Sequence, residues 1–214
     1  MWPEPPETQE LLNEVREGKP DAVDRLFERH RGPLRRMIEL RLDAALSRRV
    51  DASDVVQEVI LEAYQRLDDY LRHPTMPFHL WLRHIARDHM IDAHRRHRKA
   101  QRRSLDREQP MQPAAWADRS SIELAAQLVD PELTPASAAM RQELERRFAA
   151  ALATLPEADR EIILMRHFEQ LSNQDAAADL GLSEAAAAMR DLRALRRLRA
   201  ALRPDQPGGR GKPS

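Results

Sequence analysis

Residues Phe78–Arg103, FHLWLRHIARDHMIDAHRRHRKAQRR, gather histidines, aspartates and arginines at spacings that could serve catalysis or anion binding. His84 with Asp88, and His94 with His97, stand about one helical turn apart, as an acid–base or metal-chelating pair would. Neither pair has a third ligand or a convergent carboxylate at a matching interval. The sequence therefore predicts no catalytic residue, no metal, no cofactor and no enzyme. The arginines form the stronger pattern. Wound as a helix, Phe78, Trp81, Leu82, Ile85 and His89 fall on one side, and Arg83, Arg87, His94 and Arg98 on another. Past Ile91 the apolar rhythm fades and Arg95, Arg96, Arg98, Lys99, Arg102 and Arg103 accumulate, opposed nearby by Asp88 and Asp92. Such a run is the electrostatic footprint of a phosphate-binding surface. A solvated helix end stabilised by the helix dipole is the plainer alternative.

The rest of the chain must position that stretch. The 214 residues carry 35 basic and 35 acidic side chains, so the positive charge here is local. Aromatic residues make up 4% and strand-forming runs are absent, which predicts an all-α protein with cores of Leu, Ala, Ile and Met. With no cysteine there is no disulfide, thiolate metal site or cysteine nucleophile, and a reducing compartment suffices. The start, MWPEPPETQE, has acids and prolines where a signal peptide needs a basic and then an apolar segment, and no run reaches membrane-spanning length. A cytoplasmic protein without membrane insertion is expected.

Helical patterns cover residues 7–17, 22–46, 53–70 and 78 onward, enough for one small bundle over residues 1–103. Asp51 or Ser53 can cap the third helix, whose apolar positions are Val56, Val59, Ala63, Leu67 and Tyr70. Pro74 and Pro77 punctuate the turn before the basic helix. Residues 104–135, rich in Pro, Ala, Ser and Gln, are predicted to form a flexible interdomain linker. An apolar island at 122–129 could make a short helix within it, with Trp116 as an anchor. A second helical domain is expected over 136–203, with a disordered tail at 204–214.

Within that second domain, Pro156 opens a helix with Ala158, Ile162, Met165 and Phe168 on its buried face. Ser172, with Asp175 three residues on, caps a short helix that Gly181 ends; Ser183 caps the last one. A short helix, a glycine turn and a longer basic helix read as a helix-turn-helix, whose second helix enters the major groove of DNA. Arg190, Arg193 and Arg197 are expected on its outer side, with Leu192, Leu195, Leu198 and Leu202 inward. Arginine suits such a face because its planar fork pairs with guanine or phosphate. Two basic helical surfaces on two linked domains imply a protein that grips DNA at two places.

The segments DASDVVQEVILEAYQRL, FHLWLRHIARDHMIDAHRRHRK and LPEADREIILMRHFEQLSNQDAAADLGLSEAAAAMRDLRALRRLR together resemble bacterial RNA polymerase sigma factors of the extracytoplasmic-function (ECF) type. The resemblance covers most of the chain outside the linker and tails, and preserves the order of the family's second and fourth conserved regions. It implies a transcription initiation factor with core RNA polymerase and promoter DNA as partners, and an anti-sigma factor as a further possible one. The family's DxxQE-type signature, matched by Asp54, Gln57 and Glu58, implies a surface docking on the polymerase clamp coiled coil. The first domain would read and open the minus-ten element, through Arg83, Arg87, Arg95, Arg96 and Arg98. His73, Thr75 and Met76 match the loop that accepts a flipped base. The second would read the minus-35 element through Ser183, Arg190, Arg193 and Arg197.

Some positions depart from the family pattern. Trp81 aligns with the first of two adjacent wedge tryptophans of housekeeping sigma factors, but Leu82 replaces the second, which leaves Trp81 mainly a core role. Ala176 stands where a larger aliphatic residue is usual. Ala185, Ala186, Ala187 and Ala188 open the last helix with few base-reading groups, so phosphate or DNA shape would carry much of the contact. The alternative reading is a stand-alone helix-turn-helix regulator, which would need neither the Asp54–Glu58 surface nor the base-accepting loop.

Overall fold

The computed structural model describes Trp2 and residues 5–42, 50–103, 124–126, 128 and 137–202. Every regular element among them is helical, in two compact units, Met1–Ala114 and Ala115–Ser214. No described helix is long and apolar enough to cross a membrane.

The first unit holds α1 (Pro5–Arg16), α2 (Ala22–Glu39), α3 (Ala52–Arg72) and α4 (Phe78–Arg103). Helix α2 packs on the other three, and α3 on α4. Leu26, Leu34, Met37 and Ile38 of α2 meet the predicted stripe of α3, where Val56, Val59, Ala63, Leu67 and Tyr70 are all buried. Helix α2 stops at Glu39, short of the expected 46, and residues 43–49 lie outside the described residues. Asp51 is the cap of α3: its carboxylate accepts from the Ser53 N–H at 2.8 Å, and those bonds hold its pKa below the ordinary value.

Burial in α4 differs from the expected single stripe. Every residue of its first two turns from Phe78 to Arg83 is buried, and so are Ile85, Ala86, Met90 and Ala93. The helix starts between α2 and α3, so side chains leaving on either side meet protein. Trp81 is 9% exposed and belongs to the core, as its unmatched partner position implied.

The second unit holds α5 (Ala138–Thr154), α6 (Glu157–Ile163), a five-residue π-helical turn (Leu164–Phe168), α7 (Asn173–Leu180) and α8 (Glu184–Leu202). Phe148 and Phe168, with ring centroids 5.9 Å apart, centre a core that includes Leu152, Ile162, Met165, Leu198 and Leu202. Pro156 sits just before α6, and Ala158 is exposed where burial was expected. Asp159 takes the inward place because it accepts from Arg197 of α8. The Ser172 hydroxyl accepts from Asp175 N–H at 2.9 Å and donates to its carboxylate at 2.7 Å, closing the predicted cap of α7. Gly181 ends α7 at φ 63°, a left-handed turn that costs glycine little. Ser183 Oγ accepts from Ala186 N–H at 3.2 Å at the head of α8.

Of the apolar island expected at 122–129, Leu124–Ala126 is helical with Ala125 and Ala126 buried. Apart from residue 128, which is also helical, the rest of the expected linker, Trp116 included, and the tail lie outside the described residues.

His30 is the first unit's acid-sensitive point. It is 1% exposed, edge-on to Phe78 at 5.0 Å and 3.4 Å from the Thr8 hydroxyl, with the Trp2 ring 6.1 Å away. Burial, with His79 and Arg29 adding repulsion, lowers its pKa to about 3. An unfolded chain takes up this proton near pH 6.5, which the folded unit refuses until about pH 3. The His30 contribution to stability should therefore be flat above pH 6.5 and fall by up to about 1.4 kcal/mol per pH unit below it. Urea unfolding at pH 7 and pH 5 should show His30→Gln with a smaller loss on acidification than wild type.

Candidate nucleic-acid interface

Helix α3 exposes Asp54, Gln57 and Glu58 on its outer face, with Glu62 half-buried one turn further on. These carboxylates are not isolated. His89 of α4 reaches both, with Nδ1 3.4 Å from Glu58 and Nε2 2.7 Å from Glu62. Arg96 lies 3.9 Å from Glu58, and Arg66 bonds Glu62 at 2.8 Å. Arg66 first, then His89, hold the Glu62 carboxyl below its ordinary pKa. His89 was expected among the apolar residues of α4; the structure makes it a bridge between the acidic and basic helices. Further along α3, Leu61 and Tyr64 are 61% and 60% exposed. Tyr64, with Phe27 and Ile60, lines an apolar hollow against α2, rimmed by Asp24, Arg25, Glu28 and Arg31. Periodicity signalled these positions only weakly, because they lie just off the buried stripe.

The turn before α4 presents His73 and Thr75 to solvent, with Met76 half-buried. Its anchor is Tyr70, whose hydroxyl donates to the Met76 carbonyl at 2.9 Å. The same ring stacks on Trp81 at 4.7 Å and meets Phe78 edge-on at 5.4 Å.

The basic residues of α4 do not form one surface. Arg83 is fully buried, which overturns its expected place on the DNA side: it stands in the part of α4 enclosed by α2 and α3. Arg87 and His94 are half-buried, whereas Arg95 and Arg96 are exposed. Asp92 lies 3.9 Å from Arg95 and its carbonyl accepts from Arg96 Nε at 3.4 Å. The side chain of Arg98 lies outside the described residues. Arg95 lies about 25 Å along the axis from Phe78 at 1.5 Å per residue. The loop and the exposed arginines thus mark two ends of a track, not one pocket.

The last helix is rotated relative to expectation. Its buried residues are Ala187, Ala194, Leu198 and Leu202, while Leu192 is 41% exposed. Small alanines let α8 approach α5, α6 and α7, so the inward face centres on them instead of on the leucines. The face pointing away at helical spacing carries Ala185, Met189, Leu192, Arg193 and Arg196, all exposed. Arg190 is half-buried at the flank. Arg197, expected on DNA, instead donates to Asp159 at the start of α6. The half-buried His167 adds a second brace, 3.1 Å from Asp191. Ser183 is exposed, with its hydroxyl used as the cap. Among the described residues no cluster of His, Asp and Glu could hold a metal ion.

Residues 26–100 match the family described as Sigma-70 region 2, and residues 145–198 match Sigma-70, region 4. The RNA polymerase sigma factor CnrH of Cupriavidus metallidurans is 33% identical over 156 residues, 72% of this chain and 75% of that one. The chain belongs to the RNA polymerase sigma factors of the ECF type. A second relative is the probable RNA polymerase sigma factor RfaY of Xanthomonas campestris pv. campestris, 38% identical over 151 residues. The match spans 70% of this chain but about a third of that sigma factor, 34%. Among solved structures, CnrH in complex with the cytosolic domain of CnrY is 27% identical, with a TM-score of 0.56 over 90% of this chain and 94% of that one. The sigma factor RpoE solved with the anti-sigma factor NepR from Bartonella quintana, 20% identical with a TM-score of 0.54, shares the fold. Region 2 thus covers most of α2, α3 and α4, and region 4 runs from α5 into α8.

Arg83→Ala and Arg197→Ala should act on stability. A buried guanidinium removed from among its partners costs about 3 kcal/mol or more, and the half-exposed Arg197 pair less, about 1 kcal/mol. Chemical denaturation should register both losses, and Arg193→Ala should leave the unfolding midpoint unchanged.

Proposed function

We infer that this chain is a dissociable initiation subunit that binds core RNA polymerase and directs it to promoters. The observation that supports this most is the pairing, in order, of a region 2 match and a region 4 match on two compact units, each with exposed arginines. It performs no covalent chemistry. Recognition is divided between residues 1–103, for polymerase docking and the minus-ten element, and residues 136–203, for the minus-35 element. Residues 104–135 are the connecting linker and 204–214 the tail. The protein works in the cytoplasm, where its polymerase and promoter partners are.

Asp54, Gln57 and Glu58 are the polymerase-docking residues, on the exposed side of a helix whose other side is core. The exposed Leu61 and Tyr64 extend that surface with apolar area, which strengthens a contact that charge alone would leave weak. His73, Thr75 and Met76 accept a base extruded from the minus-ten duplex. Arg95 and Arg96, with Arg98 and the flank of Arg87, hold the phosphates of the opened strand. Pre-positioning of the loop by Tyr70 lowers the ordering cost when a base is bound.

Helices α7 and α8 form a helix-turn-helix. Its second helix lies in the major groove with Ser183 near the entering end, Arg190 at the flank and Arg193 and Arg196 facing DNA. An anti-sigma partner is part of the proposal: the similar sigma factor CnrH was solved with the cytosolic domain of CnrY, and the exposed acidic and apolar face of α3 is the surface offered to such a partner here.

In-vitro transcription with core polymerase and a library of upstream sequences tests the function: a run-off product should depend on this chain. Tight, specific binding of the chain alone, with no effect on polymerase, would instead establish a stand-alone regulator. Asp54→Ala combined with Glu58→Ala should weaken core polymerase binding roughly tenfold, with folding unaffected. Unchanged affinity in a titration would remove those residues from the docking surface. Arg193→Ala and Arg196→Ala should each reduce minus-35 binding and flatten the log affinity against log salt slope by about 0.9.

A further inference from the structure

The outward face of α8 combines two side chains that a soluble helix normally hides with two that it normally shows. Met189 is 52% and Leu192 41% exposed, while Arg193 and Arg196 extend beside them. The four lie within about two turns on one side, opposite Ala187, Ala194 and Leu198. Ala185 and Ala188, also exposed, add small apolar surface at the head of the helix.

An apolar pair ringed by arginines fits one kind of ligand well. The α8 helix holds Arg190, Arg193, Arg196, Arg197 and Arg199 against Glu184 and Asp191, and Asp191 is engaged by His167. The surface is therefore cationic around an apolar centre. Duplex DNA presents the complement: phosphates along both edges of the major groove, and on its floor the C5-methyl group of each thymine, an apolar feature absent from the other bases. No exposed Asn, Gln or Lys stands among the outward residues between Ser183 and Arg193 to read a base edge by hydrogen bonds. Arg193 is already turned back, its Nε donating to the Met189 carbonyl at 3.2 Å. That bond brings the guanidinium stem alongside Met189.

We propose that Met189 and Leu192 are specificity-determining residues that read thymine methyl groups in the minus-35 element, with Arg193 and Arg196 supplying sequence-independent phosphate contact. This rests on the reading of α8 as the minus-35 helix. Methionine suits the task because its unbranched thioether adapts to the methyl position, and burial of one methyl group is worth roughly a fourfold change in affinity. The division of labour predicts that specificity and salt dependence are carried by different side chains of one helix.

The test uses the full chain with core RNA polymerase and duplexes selected from a randomised upstream library. Each thymine of the minus-35 segment is replaced singly by uracil, which keeps base pairing and removes only the methyl. At least one replacement should weaken wild-type binding about fourfold, and that penalty should fall below about twofold in Met189→Ala or Leu192→Ala. Arg193→Ala should weaken all duplexes alike and keep the uracil penalty. Both apolar residues are exposed and alanine favours helix, so the variants should fold, which circular dichroism checks. Binding that depends on the minus-35 segment but shows no uracil penalty, or a penalty unchanged in both variants, overturns the proposal and leaves the promoter function standing. Loss of core polymerase affinity in Met189→Ala would assign the patch to protein instead, and also overturns it. Binding indifferent to the whole minus-35 segment overturns the reading of α8 itself.

Discussion

Tyr70, Phe78 and Trp81 meet at the joint between α3 and α4, and the placement of both candidate surfaces of the first unit follows from that contact. The Tyr70 ring lies against Trp81 while its hydroxyl holds the Met76 carbonyl, so the end of one helix, the turn and the start of the next are locked together. Burial raises the Tyr70 pKa, which keeps the hydroxyl protonated as a donor at any physiological pH. With the joint fixed, α4 must leave the bundle at one angle. Its exposed arginines, Arg95 and Arg96, then stand well along the helix from the joint, beside the start of α3.

The same joint brings opposite charges together. A chain with 35 basic and 35 acidic residues could spread them evenly, yet here the acidic stripe of α3 and the basic part of α4 run side by side. His89 and Arg96 bind the carboxylates that would face polymerase, and Asp92 sits beside Arg95 and Arg96. Exposed ion pairs of this kind are weak individually, so they hold the two surfaces in order without closing either to a stronger partner. A phosphate or a partner's basic side chain can replace them at little cost.

The local signals in the sequence were the most legible. Asp51, Ser172, Gly181 and Ser183 act at helix ends as their types dictate, because capping depends on neighbours a few residues away. The stripe of α3 was equally plain, since that helix buries one face. Arg83 was not, because nothing local reveals that the first turns of α4 are covered on two sides. Ala158 gave up the inward place to Asp159, whose pairing with Arg197 is long-range in sequence, and Leu192 failed for a related reason. Hydrophobicity ranks leucine above alanine as a core residue, but close helix packing selects the smaller side chain, and Ala187 and Ala194 took the inner face. Once α8 turned by that amount, Arg197 met Asp159 and Leu192 met solvent.

Arginine therefore has two uses here that charge counting cannot separate. Arg83 and Arg197 make contacts within their units, and removing them would leave carbonyls, carboxylates or core space unmatched. Arg95, Arg193 and Arg196 extend from helix faces that have no further core to reach. What divides the two groups is the distance of the helix turn from its neighbours, not residue type or spacing. A turn enclosed by other helices converts a basic side chain into structure, and a turn with an open side leaves it in solvent, where the proposed function uses it for nucleic acid. On α8 the enclosing side is lined with alanine, so the helix lies close, and the opposite side keeps large apolar groups in water beside its arginines. Exposed methionine and leucine add nothing to that packing, which is why the role we propose for them lies with a ligand of the outer face and not in the fold.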